Sequence, residues 1–401
     1  MEEERLEKLR ARLMREMSPE NAEEDAAVMR KITALVAEEH QKAPMPLAER
    51  SRLAQGLFAA VRGLGILQEL VEDPAVTEIM VNGPERVFVE KEGRIRRWER
   101  AFASEETLMD LVRQIAGRCD RVINEQSPVV DARLADGSRV CAVVPPVSLG
   151  GAALSIRKFP DQPITMDGLV RRETISREAA DFLAKLVRFG YSVLIGGGTS
   201  AGKTTFLNAL SACIPRGERV ITVEDNAELR LQGLENLVRL EAKASNLEGA
   251  SEVTIRDLVR ASLRMRPDRI VVGEVRGGEA VDLLQALNTG HDGSLSTIHA
   301  NSAEDMVSRL EMMVLMAFPL PLPAIRRQIA SGVEVMVHLR RLKDGRRRVA
   351  EIVETDGLAG ENVRLRKLYV WDEAAGTLKK AAELLHTEKL ARAEVRNPVR
   401  A

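Results

Sequence analysis

The chain has 401 residues, more than one domain usually needs, so we expect two domains. Its 59 Lys and Arg residues balance 60 Asp and Glu residues, and the net charge of −1 provides no overall basic field for capturing nucleic acid. Cys119, Cys141 and Cys213 are far apart and form no C-x-x-C pair, which excludes a disulfide or zinc framework and predicts small buried side chains in a reducing compartment.

Residues 1–62 carry dense charge with apolar side chains at helical spacing, which predicts an N-terminal extension of two or three helices. Pro44 and Pro46 mark a break between these helices. The N-terminus is too charged for a signal peptide, and no apolar run approaches the ~18 residues of a membrane-spanning helix. We therefore expect a soluble protein whose role at a membrane, if it has one, is peripheral.

From residue 63 the sequence pattern changes from helical apolar spacing to short apolar runs. Residues 63–160 predict a smaller α+β domain, PAS-like in type. Helical periodicity extends over 107–119. Apolar runs on either side of glycine-containing turns predict two hairpins, and a further strand follows Gly150 and Gly151. The predicted strands are 87–90, 94–98, 130–134, 139–144 and 153–157.

Residues 161–176 are polar and contain a proline, and we interpret them as a linker. From 177 to 401 we expect the larger domain, in which apolar runs alternate with helical stretches. This alternation predicts a mostly parallel sheet flanked by helices, with a charged extension after about residue 340. The predicted strands of this α/β domain are 192–195, 219–223, 236–240, 269–272 and 294–298.

The stretch that follows the first of these strands satisfies the pattern G-x-x-x-x-G-K-[ST] and predicts a P-loop. Its glycines let backbone N–H groups turn toward a polyphosphate, and the following helix N-terminus adds positive potential. Lys203 is placed to reach the β- and γ-phosphates, and the Thr204 hydroxyl to bind Mg²⁺. ATP and Mg²⁺ are thus the expected ligands. The predicted nucleotide-binding residues are Gly197, Gly198, Thr199, Ser200, Ala201, Gly202, Lys203, Thr204 and Thr205.

Acidic residues end two of the other predicted strands. Glu274 follows the buried run 269–272 and a glycine, and Glu224 ends the run that begins at 219. Because parallel strands present their carboxyl ends at one edge of a sheet, both acids should face the same phosphates. Such acids position Mg²⁺ and the attacking water in P-loop hydrolases.

Histidines and arginines complete the candidate site. His291 and His299 are two of only five histidines, and they bracket a predicted strand within a small, polar segment. We interpret them as a sensor of the γ-phosphate that couples hydrolysis to movement. Transition-state charge also calls for an arginine, and the candidates Arg133, Arg139 and Arg157 lie on successive strands of the upstream domain.

Several motifs together resemble one family. The P-loop, T-V-E-D-N-A-E-L (222–229), G-E-V-R-G-G-E-A (273–280) and N-T-G-H-D-G-S-L-S-T-I-H-A-N (288–301) are similar to the Walker A, Asp box, Walker B and His box of the bacterial type II/IV secretion ATPase superfamily. Upstream stretches, including D-A-R-L-A-D-G-S-R-V (131–140), look like its tight-adherence (Flp) pilus branch. The resemblance extends over residues 63–372.

This resemblance implies a RecA-like motor domain behind the smaller domain, a homo-hexameric ring, and ATP bound between the two domains. Arg139 and Arg157 match the family's phosphate-contacting arginines best, with Arg133 as a third. Glu224 would activate the attacking water and Glu274 would hold Mg²⁺ through water, although the two roles could be exchanged. A cytoplasmic ATPase at the inner face of the membrane, working on an inner-membrane platform protein, is the implied setting.

The sequence departs from the family pattern in two places. Ser200 and Ala201 stand where relatives commonly have a glycine and a serine, and Ser200 is expected at a backbone angle that glycine adopts more easily. The four-cysteine zinc element of many type II secretion and pilus-extension relatives is also missing from this three-cysteine chain. Zinc is therefore not expected.

Three alternatives stay open beside pilus assembly. A type IV secretion ATPase that exports protein or DNA would carry nearly identical catalytic motifs. A RecA-like nucleic-acid motor shares the core, although the near-neutral charge and 3% aromatic content disfavour stacking grooves for single strands. The altered loop also permits a scaffold that binds ATP without hydrolysing it.

Overall fold

The computed structural model describes residues 5, 8–10, 12–13, 25–91, 93–119, 121–158, 164–243, 252–342 and 344–391. The chain forms two compact units, Met1–Asp161 and Gln162–Ala401. Leu6, part of the apolar pattern that predicts the first helix, lies outside the described residues.

The first unit opens with two helices, α1 (Asp25–Lys42) and α2 (Leu47–Arg62). Pro46 is the N-cap of α2, because a proline at this boundary loses no helical hydrogen bond. The predicted break at the prolines is therefore confirmed. The apolar faces of both helices form one buried cluster, which includes Val28, Ile32, Leu53 and Leu57.

An antiparallel sheet with strand order β3-β2-β1-β6-β5-β4 forms the rest of this unit. Helix α4 begins after Ser104, whose hydroxyl accepts the N–H of Thr107 as an N-cap. Both predicted hairpins are present as β2–β3 and β4–β5, whereas β1 was not predicted. The bounds are α3 (Gln68–Glu72), β1 (Val76–Asn82), β2 (Val87–Lys91), β3 (Arg94–Arg97), α4 (Glu105–Arg118), β4 (Val129–Arg133), β5 (Arg139–Val143) and β6 (Ala153–Arg157).

The second unit is built on a nine-stranded sheet. Its strand order is β15 (Thr377–Lys380), β14 (Asn362–Asp372), β13 (Arg347–Ala359), β12 (Val335–Arg341), β7, β11, β10, β8 and β9, and it is parallel from β12 to β9. The predicted mostly parallel sheet is therefore confirmed, and all the strands predicted for this domain are present. Their bounds are β7 (Val193–Gly197), β8 (Val220–Glu224), β9 (Leu237–Glu241), β10 (Arg269–Val275) and β11 (Leu295–His299).

Helices cover both faces of this sheet. Along β7, Val193 and Ile195 pack into one buried cluster and Leu194 into the other, as alternating side chains of a strand must. A parallel sheet needs such cover because both of its faces are apolar. The helices are α5 (Met166–Arg171), α6 (Arg177–Arg188), α7 (Lys203–Ser211), α8 (Ile255–Ser262), α9 (Glu279–Leu287), α10 (Ala303–Ala317) and α11 (Leu322–Gly332). Helix α5 lies within the stretch that we interpreted as a linker.

The C-terminal part of the chain differs from the expected charged extension. It continues the sheet as β12 (Val335–Arg341), β13 (Arg347–Ala359), β14 (Asn362–Asp372) and β15 (Thr377–Lys380). Strands β13 to β15 are antiparallel to their neighbours. We call these three strands the antiparallel wing.

The three cysteines, all of which the structure describes, are free thiols. The expectation that they are buried was wrong, because Cys141 is exposed and Cys119 and Cys213 are half-buried. Within the described ranges, no helix is long and apolar enough to span a membrane.

Candidate functional site

The predicted P-loop connects the carboxyl end of β7 to helix α7, which begins at Lys203. Ser200 and Gly202 both adopt the left-handed conformation, with φ of 58° and 94°. Glycine accepts this conformation readily, whereas a residue with a Cβ atom loses about 1–2 kcal/mol. The expectation that Ser200 occupies a glycine-like angle is confirmed.

Lys203 lies on the inner side of this loop and is only 8% exposed. Its ammonium group donates to the carbonyl oxygens of Gly197 and Gly198, each at 3.2 Å. The same nitrogen is 3.4 Å from the ring nitrogens of His299 and 3.7 Å from Oε1 of Glu274. A buried charge needs such partners. The fold thus brings residues from the ends of three strands to one positive charge.

Glu274 lies in β10, at the same edge of the sheet. Its Oε2 accepts a hydrogen bond of 2.7 Å from Arg276, whose guanidinium is also 3.6 Å from Asp225. Its Oε1 is 2.8 Å from Nε2 of His299. Burial lowers the pKa of His299, Glu274 raises it, and Lys203 and Arg276 lower it. The net decrease favours a neutral imidazole in contact with an acid and a lysine.

Glu224 ends the neighbouring strand β8 and is 2% exposed. Its Oε1 accepts the backbone N–H groups of Glu228 and Leu229, at 2.9 and 2.8 Å. Burial raises the pKa of Glu224 to about 7, although these two hydrogen bonds oppose the increase. A Cβ atom at Gly273 would lie 3.1 Å from Cγ of Glu224, so the glycine before Glu274 makes room for the second acid.

The donor atoms of this site fit a nucleotide with Mg²⁺. Among the described residues, Oε2 of Glu224 and Oε1 of Glu274 are buried and accept no hydrogen bond, although Nε2 of His299 lies 2.8 Å from the second of these oxygens. Mg²⁺ prefers such oxygens and usually adds phosphate oxygens and water. The described part of the chain offers no cluster of three His, Cys, Asp or Glu side chains that would hold a metal alone. Thr204 and Glu274 would hold the ion, which would neutralise phosphate charge.

Replacing Glu224 by glutamine should make the stability of the protein less sensitive to pH. The folded pKa of about 7 exceeds the reference value of 4.5, so the folded state retains a proton that the unfolded state has lost, and wild-type stability falls as pH rises between these values. We expect Glu224→Gln to be more stable at pH 8, by at most about 3 kcal/mol, and the difference to shrink toward pH 4.5. Urea unfolding at both pH values measures this, and an unchanged difference would contradict it.

Comparison with known protein families identifies the family of this chain. The profile of the family described as "Type II/IV secretion system protein" matches residues 60–381, which is most of the sequence. The chain belongs to this family. The resemblance found in the motifs is confirmed at this level.

Individual members of the secretion family agree with this assignment. A Mycobacterium tuberculosis protein named for conjugal transfer is 39% identical over 336 residues, which cover 82% of this chain and 94% of that protein. The type IV secretion system protein PtlH of Bordetella pertussis is 37% identical over 311 residues, which cover 71% of this chain and 91% of PtlH. The crystal structure of the pilus retraction motor PilT with bound ADP aligns with a TM-score of 0.52 at 19% identity, over 84% of this chain and 89% of PilT. This likeness concerns the fold, and the predicted RecA-like α/β class is confirmed.

His291 is not brought to the cluster that contains His299. It precedes β11, at the amino end of that strand, and its Nδ1 is 3.3 Å from the carbonyl oxygen of Ala286. His299 ends the same strand, and five residues of β-strand span roughly 16 Å. Of the two histidines, His299 therefore lies beside Lys203, whereas His291 lies toward the opposite end of β11.

The candidate arginines of the first unit lie side by side across three strands. Arg133 on β4 pairs with Arg139 on β5, which in turn pairs with Arg157 on β6. Like charges directly opposite one another are destabilising in a sheet. Arg157 also pairs with Glu78 on β1, so the row of three arginines ends beside a carboxylate.

Two arginines near the candidate nucleotide site were missed by sequence reasoning. Arg276 bonds to Glu274 and stands two residues after it, directly after the end of β10. This two-residue spacing in extended chain could have revealed the shared face. Arg347 donates to the carbonyl oxygen of Ser200 from 147 residues away, and no local pattern signals such a contact.

Proposed function

We propose that this chain is an ATPase that hydrolyses ATP to ADP and phosphate to drive pilus assembly or secretion. The main supporting observation is the convergence of Glu274 and His299 within 3.7 Å of the Lys203 ammonium, behind a loop with a P-loop sequence. Membership of the secretion family supports the same activity.

In this mechanism different residues bind the phosphates, accept the proton and hold the metal ion. The N–H groups of the P-loop and Lys203 bind and orient the phosphates. Oε2 of Glu224 accepts a proton from the attacking water as its oxygen adds to the γ-phosphorus and ADP departs. A pKa of about 7 suits this role, because a general base works best when its pKa is near the working pH. Glu274 and Thr204 would hold Mg²⁺, which would neutralise charge on the phosphate oxygens.

His299 and the arginines would connect the chemistry to movement. His299 contacts both Lys203 and Glu274, so loss of the γ-phosphate would change its surroundings directly. Arg139 and Arg157, with Arg133 as a third, would stabilise the phosphate charge that develops during hydrolysis. We assign the sensor role to His299.

The machine we propose is a tight-adherence (Flp) pilus, with the ATPase as a homo-hexamer at the cytoplasmic face of the inner membrane. Its direct partner would be an inner-membrane platform protein. Support comes from the motif stretch 131–140 and from the N-terminal helices Asp25–Lys42 and Leu47–Arg62, which precede the family match for almost their whole length.

Arg139→Ala should abolish Mg-ATP hydrolysis while leaving ATP binding largely intact. Arg139 would act on charge that develops during the reaction, and such residues contribute roughly 10³-fold or more to the rate in related hydrolases. Steady-state turnover and light scattering with and without Mg-ATP measure this, with a hexamer-sized particle expected for the wild type. Arg96→Ala, an exposed arginine of β3, is the control. A monomer that hydrolyses ATP equally well without Arg139 would exclude a shared active site.

A type IV secretion ATPase is the second candidate, because PtlH and the conjugal transfer relative are 37% and 39% identical to this chain. In the source organism, Lys203→Ala would abolish surface pili under the first proposal and export of protein or DNA under the second. Many-fold stimulation of hydrolysis by single-stranded DNA would instead indicate a nucleic-acid motor. Tight ATP binding without any turnover would indicate a scaffold.

A further inference from the structure

Arg347 contacts the P-loop from the first residue of β13. Its Nε donates to the carbonyl oxygen of Ser200 at 3.0 Å. A Cβ atom at Gly202 would lie 3.0 Å from Cδ of the same arginine. Arg347 therefore packs against both left-handed residues of the loop, although it is far from them in sequence.

The direction of the Ser200 carbonyl determines the direction of the next backbone N–H in this loop. A peptide unit is planar and trans, so its carbonyl and the following N–H point in opposite directions. The N–H of Ala201 points to the carbonyl oxygen of Gly198, at 3.2 Å. By holding the Ser200 carbonyl, Arg347 also fixes the direction of the Ala201 N–H within the loop.

The strands that carry Arg347 are firmly held. Leu339 on β12 is 1% exposed and pairs with Gly197, where a Cβ atom would lie 2.7 Å from the Leu339 carbonyl oxygen. On β13 itself, Arg348 follows Arg347 directly. Arg348 is 3% exposed and donates to the carbonyl oxygen of Arg172 at 2.9 Å. Arg347 thus projects from a rigid support onto the loop.

We propose that Arg347 is a positioning residue for nucleotide binding, which holds the Ser200 peptide in the left-handed conformation that the P-loop requires. Ser200 lacks the conformational freedom of glycine, and the guanidinium contact offsets that cost. The inference rests on the proposed binding of ATP. It assigns a role in the active site to the antiparallel wing.

A double-mutant cycle between Arg347→Ala and Ser200→Gly tests this proposal. The probe is a fluorescent ADP analogue, and its dissociation constant is measured for the full chain. Arg347→Ala should weaken binding about tenfold when Ser200 is present, which corresponds to the usual cost of a left-handed residue. In the Ser200→Gly background, Arg347→Ala should weaken binding by less than about threefold.

Arg346→Ala is the matched control, because this neighbouring arginine bonds to Asp344 instead. Its affinity for the probe should equal that of the wild type. Without nucleotide, Arg346→Ala and Arg347→Ala should have the same melting temperature. Arg347→Lys provides a second variant in case Arg347→Ala does not fold. It keeps the charge without the guanidinium, so it should weaken binding about threefold, and Ser200→Gly should remove this loss.

The outcomes separate the two proposals. Wild-type protein that does not bind the probe would overturn the proposed function itself. The positioning role is wrong if Arg347→Ala binds the probe with the same affinity as the wild type. It is also wrong if Arg347→Ala loses the same affinity with Ser200 present as with glycine at position 200. Rescue by Ser200→Gly alone supports it, because a direct contact between Arg347 and phosphate would be lost equally in both backgrounds.

Discussion

Lys203→Ala is expected to weaken ATP binding by at least about 100-fold, or ~2.7 kcal/mol. The ammonium group is buried and already held by carbonyl oxygens of the loop, so it needs little reorganisation to meet a phosphate. Each hydrogen bond to a charged group contributes about 1.5–3 kcal/mol, and Lys203 would form more than one. Isothermal titration with a non-hydrolysable ATP analogue measures the loss.

The control for this variant is Lys185→Ala, an exposed lysine of α6 in the same unit. Its affinity should remain that of the wild type. Removing Lys203 also takes a cation from beside Glu274, so circular dichroism of both variants checks that the fold is intact. Unchanged affinity in a folded Lys203→Ala protein would contradict the P-loop assignment.

The parallel part of the sheet was predictable from sequence because its strands are buried on both faces. Such strands are continuous apolar runs, and the burial of every residue of β7 and β8 shows why their pattern is so clear. The meeting of Lys203, Glu224 and Glu274 at one edge also followed from the topology, because parallel strands share their carboxyl ends.

The antiparallel wing could not be recognised in the same way. Strand β13 buries Glu351 and Glu354, which interrupt the apolar pattern that marks a strand. Glu351 is neutralised by Lys367 at 3.0 Å, and Glu354 accepts the backbone N–H groups of Leu385 and His386. These partners lie 16 to 32 residues away, so the sequence around each acid shows only an additional charge.

Contacts between residues that are far apart in sequence also limited how much of the site could be predicted from the sequence. The bond from Arg347 to Ser200 depends on β12 pairing with β7, and this pairing is a property of the whole sheet. His291 shows the opposite case. It stands before a predicted strand and His299 at the end of it, so their separation could have been foreseen from strand geometry.

Glu224→Gln is expected to lower the maximal rate of hydrolysis by about 10²- to 10⁴-fold, the usual contribution of a general base. ATP affinity and the Mg²⁺ concentration required for half-maximal rate should not change, because Glu224 acts on the attacking water. The wild-type rate should rise with pH through about 7, as the carboxyl group loses its proton, and the variant's residual rate should lack this step. Glu228→Gln is the matched control, because it keeps the backbone N–H that bonds to Glu224. It also removes a charge that raises the pKa of Glu224, so the pH step should move to lower pH but should not disappear.

The companion variant Glu274→Gln decides between the two assignments of the acids. If Glu274 holds Mg²⁺, its loss should raise the Mg²⁺ requirement, and excess Mg²⁺ should restore part of the rate. Arg276, Lys203 and His299 surround this carboxylate, whereas Glu224 lies in apolar surroundings that raise its pKa. A raised pKa suits Glu224 to accept a proton, which leaves Glu274 as the candidate ligand of Mg²⁺. If Mg²⁺ rescues Glu224→Gln instead, and the pH step disappears in Glu274→Gln, the two roles are exchanged.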